Sequence, residues 1–103
     1  MPVIVVATVI PVSEHRASLV AAFEQAIATV HAEDEGCELY ALHEGEDRLV
    51  MVEKWTTAES LAAHGQTPVM QKFLDAIDGK IVGEVDLQFL RPHPAGSPEQ
   101  GAL

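Results

Sequence analysis

Met51-Val-Glu-Lys-Trp-Thr-Thr-Ala-Glu-Ser-Leu-Ala-Ala-His-Gly-Gln-Thr-Pro-Val-Met-Gln-Lys-Phe73 passes from a strand into a short helix and then into a second helix. Leu49, Met51, Glu53 and Trp55 share one parity, which reads as a strand over Arg48–Trp55 ending at the only tryptophan. Thr56 and Glu59 have capping-box spacing, so a short helix should run to His64 and stop at Gly65. Thr67 as cap and Pro68 at the first helical position open the next helix. Its buried stripe is Val69, Met70, Phe73, Leu74 and Ile77, and Gly79 closes it. In so small a chain, an indole and an imidazole should therefore lie near one mouth of an apolar cavity.

Upstream, Val3 to Val12 is apolar and largely β-branched on both parities, the pattern of a strand covered on both faces. Ser13 is placed to cap a following helix, whose apolar residues Leu19, Val20, Phe23, Ala26, Ile27 and Val30 recur to about Ala32. Cys37–His43 pairs with Arg48–Trp55 through the turn Glu44-Gly45-Glu46-Asp47. Ile81, Val85, Leu87 and Phe89 mark the last strand, and residues 92–103 form a Pro/Gly-rich tail, expected to be flexible or strapped across a partner. The order β-α-β-β-α-α-β predicts an α+β class: a ferredoxin-like split β-α-β domain over residues 1–91 with a four-stranded antiparallel sheet. Helices can cover one face of such a sheet. The two-sided apolar character of the first strand then predicts a homodimer, sheet against sheet across a two-fold axis, with a higher assembly left open.

The chain has 103 residues, enough for one domain with a single core. Sixteen acids against six bases leave a formal charge of −10, and the bases are scattered. Nucleic acid and anionic membrane surfaces are thereby excluded as expected partners, because both need clustered Lys and Arg. Cys37 is the sole cysteine, so no intrachain disulfide can form. The run Val3–Val12 is far short of the ~20 apolar residues that span a bilayer, and nothing resembles a cleavable leader, so a cytoplasmic location is expected. The acidic clusters Glu33-Asp34-Glu35 and Glu44–Asp47 lack calcium-loop spacing and read as solvated turns. No dinucleotide fingerprint and no His/Cys/Asp grouping at ligand spacing occurs, so no cofactor and no metal are expected.

Val-Ile-Val-Val-Ala-Thr at the start, Glu35-Gly36-Cys37-Glu38-Leu39-Tyr40, Glu53-Lys54-Trp55, Ala58–His64 and Thr67-Pro68 occur in a familiar order and spacing. Over residues 2 to about 91 the chain resembles the antibiotic biosynthesis monooxygenase family of the dimeric α+β barrel superfamily. The resemblance implies a dimer with one pocket per subunit, between the sheet and its own helices. It also implies oxygenation of quinols, anthrones or related small aromatic molecules by dioxygen without flavin, haem or metal. Haem-degrading relatives have an asparagine near Thr8, a tryptophan where His64 stands and a histidine where Leu74 stands. This chain departs at all three positions, so that activity is set aside.

Two readings stand for each candidate. Trp55 is a core or rim aromatic, or an indole that lines the pocket mouth and orients a flat ring. His64 caps its helix, or acts as a base whose ordinary pKa suits a phenolic proton. Thr8 is a strand former or a pocket hydroxyl. Phe23, Met51 and Phe73 are core residues or cavity walls that keep the site dry. Tyr40 packs in its strand or hydrogen-bonds a substrate, and Glu53 is a buried acid ranked behind His64. The functional expectation is a cofactor-independent monooxygenase with His64 and Trp55 at the chemistry, and with Thr8, Phe23, Tyr40, Met51 and Phe73 binding the substrate. The alternatives are an isomerase or cyclase of the same superfamily, and a non-catalytic binding or stress-response protein. Val69 favours the last, because many relatives read Thr-Pro-His there. An open cavity would favour an enzyme; one plugged by Phe23, Met51 or Phe73 would favour the binding reading.

Overall fold

A computed structural model describes residues 1–103. Its elements are β1 (Val3–Val9), α1 (Arg16–Glu33), β2 (Cys37–Glu44), β3 (Leu49–Trp55), α2 (Ala58–His64), α3 (Pro68–Ile77) and β4 (Asp86–Leu90). The strands form one antiparallel sheet in the order β2-β3-β1-β4, the ferredoxin-like arrangement expected from the element order.

Strand alternation decides what faces what. Val5, Ala7 and Val9 of β1 stand opposite Glu53, Met51 and Leu49 of β3, and opposite these on β2 come Tyr40, Leu42 and Glu44. This face meets the helices: Leu19, Phe23 and Val30 of α1 and Phe73 and Ile77 of α3 join Val5, Met51 and Trp55 in one core. The other parity, with Ile4, Val6, Thr8, Val50 and Val52, lies on the face that carries no helix. Thr8 pairs with Val50 and Asp86 and so points away from the helical layer.

Several local expectations are corrected. The box that caps α2 is Thr57 with Ser60 rather than Thr56 with Glu59: the Ser60 N–H donates to Thr57 Oγ1 at 3.1 Å and the Thr57 N–H to Ser60 Oγ at 3.2 Å. Thr56 is instead turned back to the start of β2, where its hydroxyl reaches Glu38 at 3.1 Å. Ser13 does not cap α1, because Ser13–His15 form a single 3-10 turn ahead of it. The first strand ends at Val9, and Pro11 forms an isolated bridge with Ile81. Gly83, at φ 69°, then turns the chain, so the last strand starts only at Asp86. Thr67 and Pro68 open α3 as read from the sequence. Residues 91–103 hold no helix or strand; Ser97–Gly101 form a turn, and the Lys54 ammonium donates to the Leu103 oxygen at 2.7 Å.

Gly36 fixes the approach of α2 to β2. It has φ 78°, and a Cβ there would lie 2.5 Å from Ser60 Cβ, whereas one at Gly79, with φ 77°, meets nothing within 4 Å. Gly79→Ala should therefore lose only the left-handed backbone term, about 1–2 kcal/mol. Gly36→Ala should lose clearly more, since Ser60 of the capping box must also move. Urea unfolding of the two variants side by side checks this order.

Candidate active site

A cavity of about 500 Å³ lies between the inner sheet face and the helices. That size falls among small-molecule pockets. Val5, Ala7 and Val9 form its floor, Phe23 and Phe73 one wall, and Leu87 and Phe89 of β4, with Val85 just ahead of that strand, another. Phe23 and Phe73 meet at a centroid distance of 4.8 Å. Leu74, Leu87 and Phe89 are exposed at its rim. Met51 lines the cavity without filling it. Its polar side chains are Tyr40, Glu53 and His64, and no Lys or Arg reaches it.

His64, at the last turn of α2, is 6% exposed. Its Nδ1 lies 2.6 Å from Oδ2 of Asp34, the residue that ends α1. An ionised carboxylate only accepts, so Nδ1 is the donor and Nε2 keeps its lone pair. Nε2 makes no protein hydrogen bond. The ring is held on two further sides. Trp55 lies against it at 4.5 Å and 35°, and Tyr40 meets it edge-on at 5.3 Å and 70°. Such packing holds the imidazole plane in place, with Trp55 on the side away from the cavity. His64 also borders an exterior groove with Asp34, Glu35 and Glu59, so the imidazole separates the cavity from that groove.

Trp55 is wholly buried and does not line the cavity. Its indole N–H donates to Glu53 Oε1 at 2.9 Å. The expectation that it stacks on a substrate at the pocket mouth is therefore corrected: at the end of β3 the indole sits behind His64 and its N–H is already used. Burial raises the Glu53 carboxyl above the ordinary glutamate value, against smaller opposing effects of the Trp55 N–H and His64. Burial also pushes the Tyr40 phenol well above its ordinary range, with Glu53 adding to the effect, and its hydroxyl has only the Met70 sulfur at 4.0 Å. Cys37 is likewise raised by burial and by Asp34 and Glu53, which makes it a poor nucleophile. No three His, Cys, Asp or Glu side chains stand close enough to hold a metal ion.

The family model for antibiotic biosynthesis monooxygenases matches residues 2–76. The chain belongs to the antibiotic biosynthesis monooxygenase family. It is 30% identical over 93 residues to the probable quinol monooxygenase YgiN of Escherichia coli (strain K12), covering 80% of this chain and 88% of that one. Among solved structures, Rv0793 from Mycobacterium tuberculosis superposes with a TM-score of 0.86 at 25% identity, over 94% of this chain and 100% of its own. PA3566 from Pseudomonas aeruginosa gives 0.78 at 23% identity, over 86% and 91%.

Within this family fold, His64, Phe23, Tyr40, Met51 and Phe73 come together around the cavity, while Thr8 and Trp55 do not line it. Thr8 is excluded by strand parity: its neighbours Ala7 and Val9 point in. Asp34 was hidden in a turn that reads as solvated, 30 residues from His64. Its only local signal is its position at a helix end, which gives no direction for the side chain.

Two pH effects follow. Tyr40 is the sole tyrosine, so tyrosinate absorbance reports on it alone. Its native value lies above the ordinary 10.0, so stability should fall as pH rises past 10.0, and ionisation should appear only as the protein unfolds. Glu53 likewise binds its proton more tightly in the native state. Its contribution should decline as pH rises from the ordinary 4.5 through its raised value. Thermal midpoints of Glu53→Gln, which cannot ionise, should lack that decline.

Proposed function

We propose that the protein is a cofactor-independent monooxygenase that oxidises a neutral quinol-like or polycyclic phenolic compound with dioxygen. The observation that carries this reading is the Asp34–His64 pair at the wall of an open, almost wholly apolar cavity. An electron-rich phenolate can itself reduce dioxygen. The protein then has to remove a proton, stabilise the anion and exclude water. His64 Nε2 takes the proton, Asp34 and the Trp55 face hold the imidazolium, and Phe23, Met51 and Phe73 keep the space dry. The similarity to a probable quinol monooxygenase supports the same substrate class. A cavity open beside Phe23, Met51 and Phe73 favours an enzyme over a plugged binding barrel.

The functional unit we propose is a cytoplasmic homodimer. Ile4, Val6, Val50 and Val52 form an apolar strip on the sheet face without helices, and a second copy is the self-complementary cover for it. No helix is long and apolar enough to cross a membrane. Analytical ultracentrifugation should give twice the chain mass, and Val52→Glu should shift it toward the monomer.

The metal-stripped protein should take up dioxygen with anthrones or quinols well above their autoxidation rate. His64→Ala should lower kcat by about 10²–10⁴-fold, the usual range for a lost general base. Asp34→Asn should lower kcat more than it raises KM, because it disturbs the tautomer and not the cavity walls. Uptake no faster than autoxidation across the panel would overturn the reading. Anaerobic conversion of the same compounds would then point to an isomerase using the same base.

A further inference from the structure

Glu53 is 6% exposed in the middle of β3, between Val5 of β1 and Tyr40 of β2, and no Lys or Arg answers it. A carboxyl at such a site needs a reason, because burial without a cation is costly. One oxygen is fixed by the Trp55 N–H at 2.9 Å. The other has no protein hydrogen bond, and the residue lines the cavity. The same indole carries His64 against its ring. A carboxyl and an imidazole, held by one tryptophan, therefore reach the same apolar space from neighbouring positions.

We infer that Glu53 is the acid partner of His64, donating a proton to the oxygen that leaves as water, and that Trp55 is the residue that positions it. This rests on the oxygenase reading. For a substrate with a CH₂ carbon, or its enol tautomer, the steps balance. His64 Nε2 takes a proton, the carbanion gives its electron pair to dioxygen as the C–O bond forms, and the peroxide anion takes that proton back. The second C–H proton then goes to His64 while its electron pair becomes the C=O bond. The O–O bond breaks, and the departing hydroxide takes the Glu53 proton to become water. The imidazolium returns a proton to the carboxylate, so the substrate loses two hydrogens, gains one oxygen atom and releases one water.

Burial keeps this carboxyl protonated at pH values where an exposed glutamate has lost its proton. The groups around it are Trp55, His64, Tyr40 and the Cys37 thiol at the start of β2. Of these, the Tyr40 phenol is held protonated as well but has the Met70 sulfur as its hydrogen-bond partner.

The test is product partition with an anthrone in air. Wild type should give ketone and water. Glu53→Gln keeps the volume and an acceptor for Trp55; it should still consume dioxygen at a rate within about threefold of wild type, but accumulate substrate hydroperoxide, with ketone formation down by about 10²-fold. Glu53→Asp, which keeps an acid, should recover part of the ketone. Trp55→Phe should shift the partition the same way, by less. Ketone at the wild-type rate without hydroperoxide in Glu53→Gln overturns the inference while leaving the oxygenase reading intact. So does a folded Glu53→Gln that consumes no dioxygen, since the carboxyl would then act before the O–O bond exists. If Glu53→Gln does not fold, equal partition in wild type, Glu53→Asp and Trp55→Phe has the same force. Absence of uptake by wild type overturns both readings.

Discussion

Three helices of 18, 7 and 10 residues have to cover one face of a four-stranded sheet, and they do not reach all of it. α1 and α3 pack on each other and over β1, β2 and β3, and no helix packs closely on β4. The inward residues of β4 are apolar because of that shortfall. Leu87 and Phe89 have no helix to meet and instead wall the cavity, together with Val85 just ahead of the strand. A longer α3 would convert the cavity into core. Stability and site are thus set by the same shortage of cover, and every apolar side chain at the rim is one the core did not use.

The rear of the cavity is organised by contacts between elements that the cavity itself does not need. Asp34 ends α1, His64 ends α2, and Glu53 and Trp55 lie two residues apart on β3. The pair at 2.6 Å ties two helix ends together across the sheet edge. Removing either partner leaves the other's buried donor or acceptor unsatisfied, which commonly destabilises by about 1–3 kcal/mol and by more where a charged group is left. The geometry of the imidazole is therefore enforced by the folding energy of the domain. Trp55 is central in a different way. Placed behind the site, it packs on the imidazole with its face and fixes the carboxyl with its N–H, so one buried side chain sets two polar groups.

The fold was legible because its evidence is local and periodic. Pro68 after Thr67, the helical stripe of Phe73 and Ile77, and the turn at Gly45 each specify backbone within a few residues. The family resemblance rested on the same short patterns. Parity inside β1 was not legible, because Val3 to Val9 is apolar or small on both faces; Thr8 could be assigned to the wrong one. Which threonine caps α2 was also open. Thr56 and Thr57 are adjacent, and the choice is made by the closure of β2 onto Thr56, a tertiary effect. The Asp34 contact depends on the relative placement of two helices, which no local pattern records. The depth of Trp55 was not legible either, since an indole at a strand end reads alike at a rim and beneath one.

Charge explains why the substrate of the proposed reaction should enter neutral. The chain carries a formal charge of −10, the groove behind His64 is lined by acids, and no cation lines the cavity. An anionic aromatic acid would meet an unfavourable field outside and no partner inside. A neutral phenol meets neither penalty, and dioxygen, being apolar, enters the same space freely. On the proposed oxygenase reading, proton transfer to His64 would give the cavity one positive charge where the new anion can face it, with Asp34 behind to hold it. The anion thus exists only where its counter-charge is formed. In a space this poor in water that coupling would favour the proposed reaction with dioxygen over escape of the ion, since leaving would mean separating the two charges through an apolar passage.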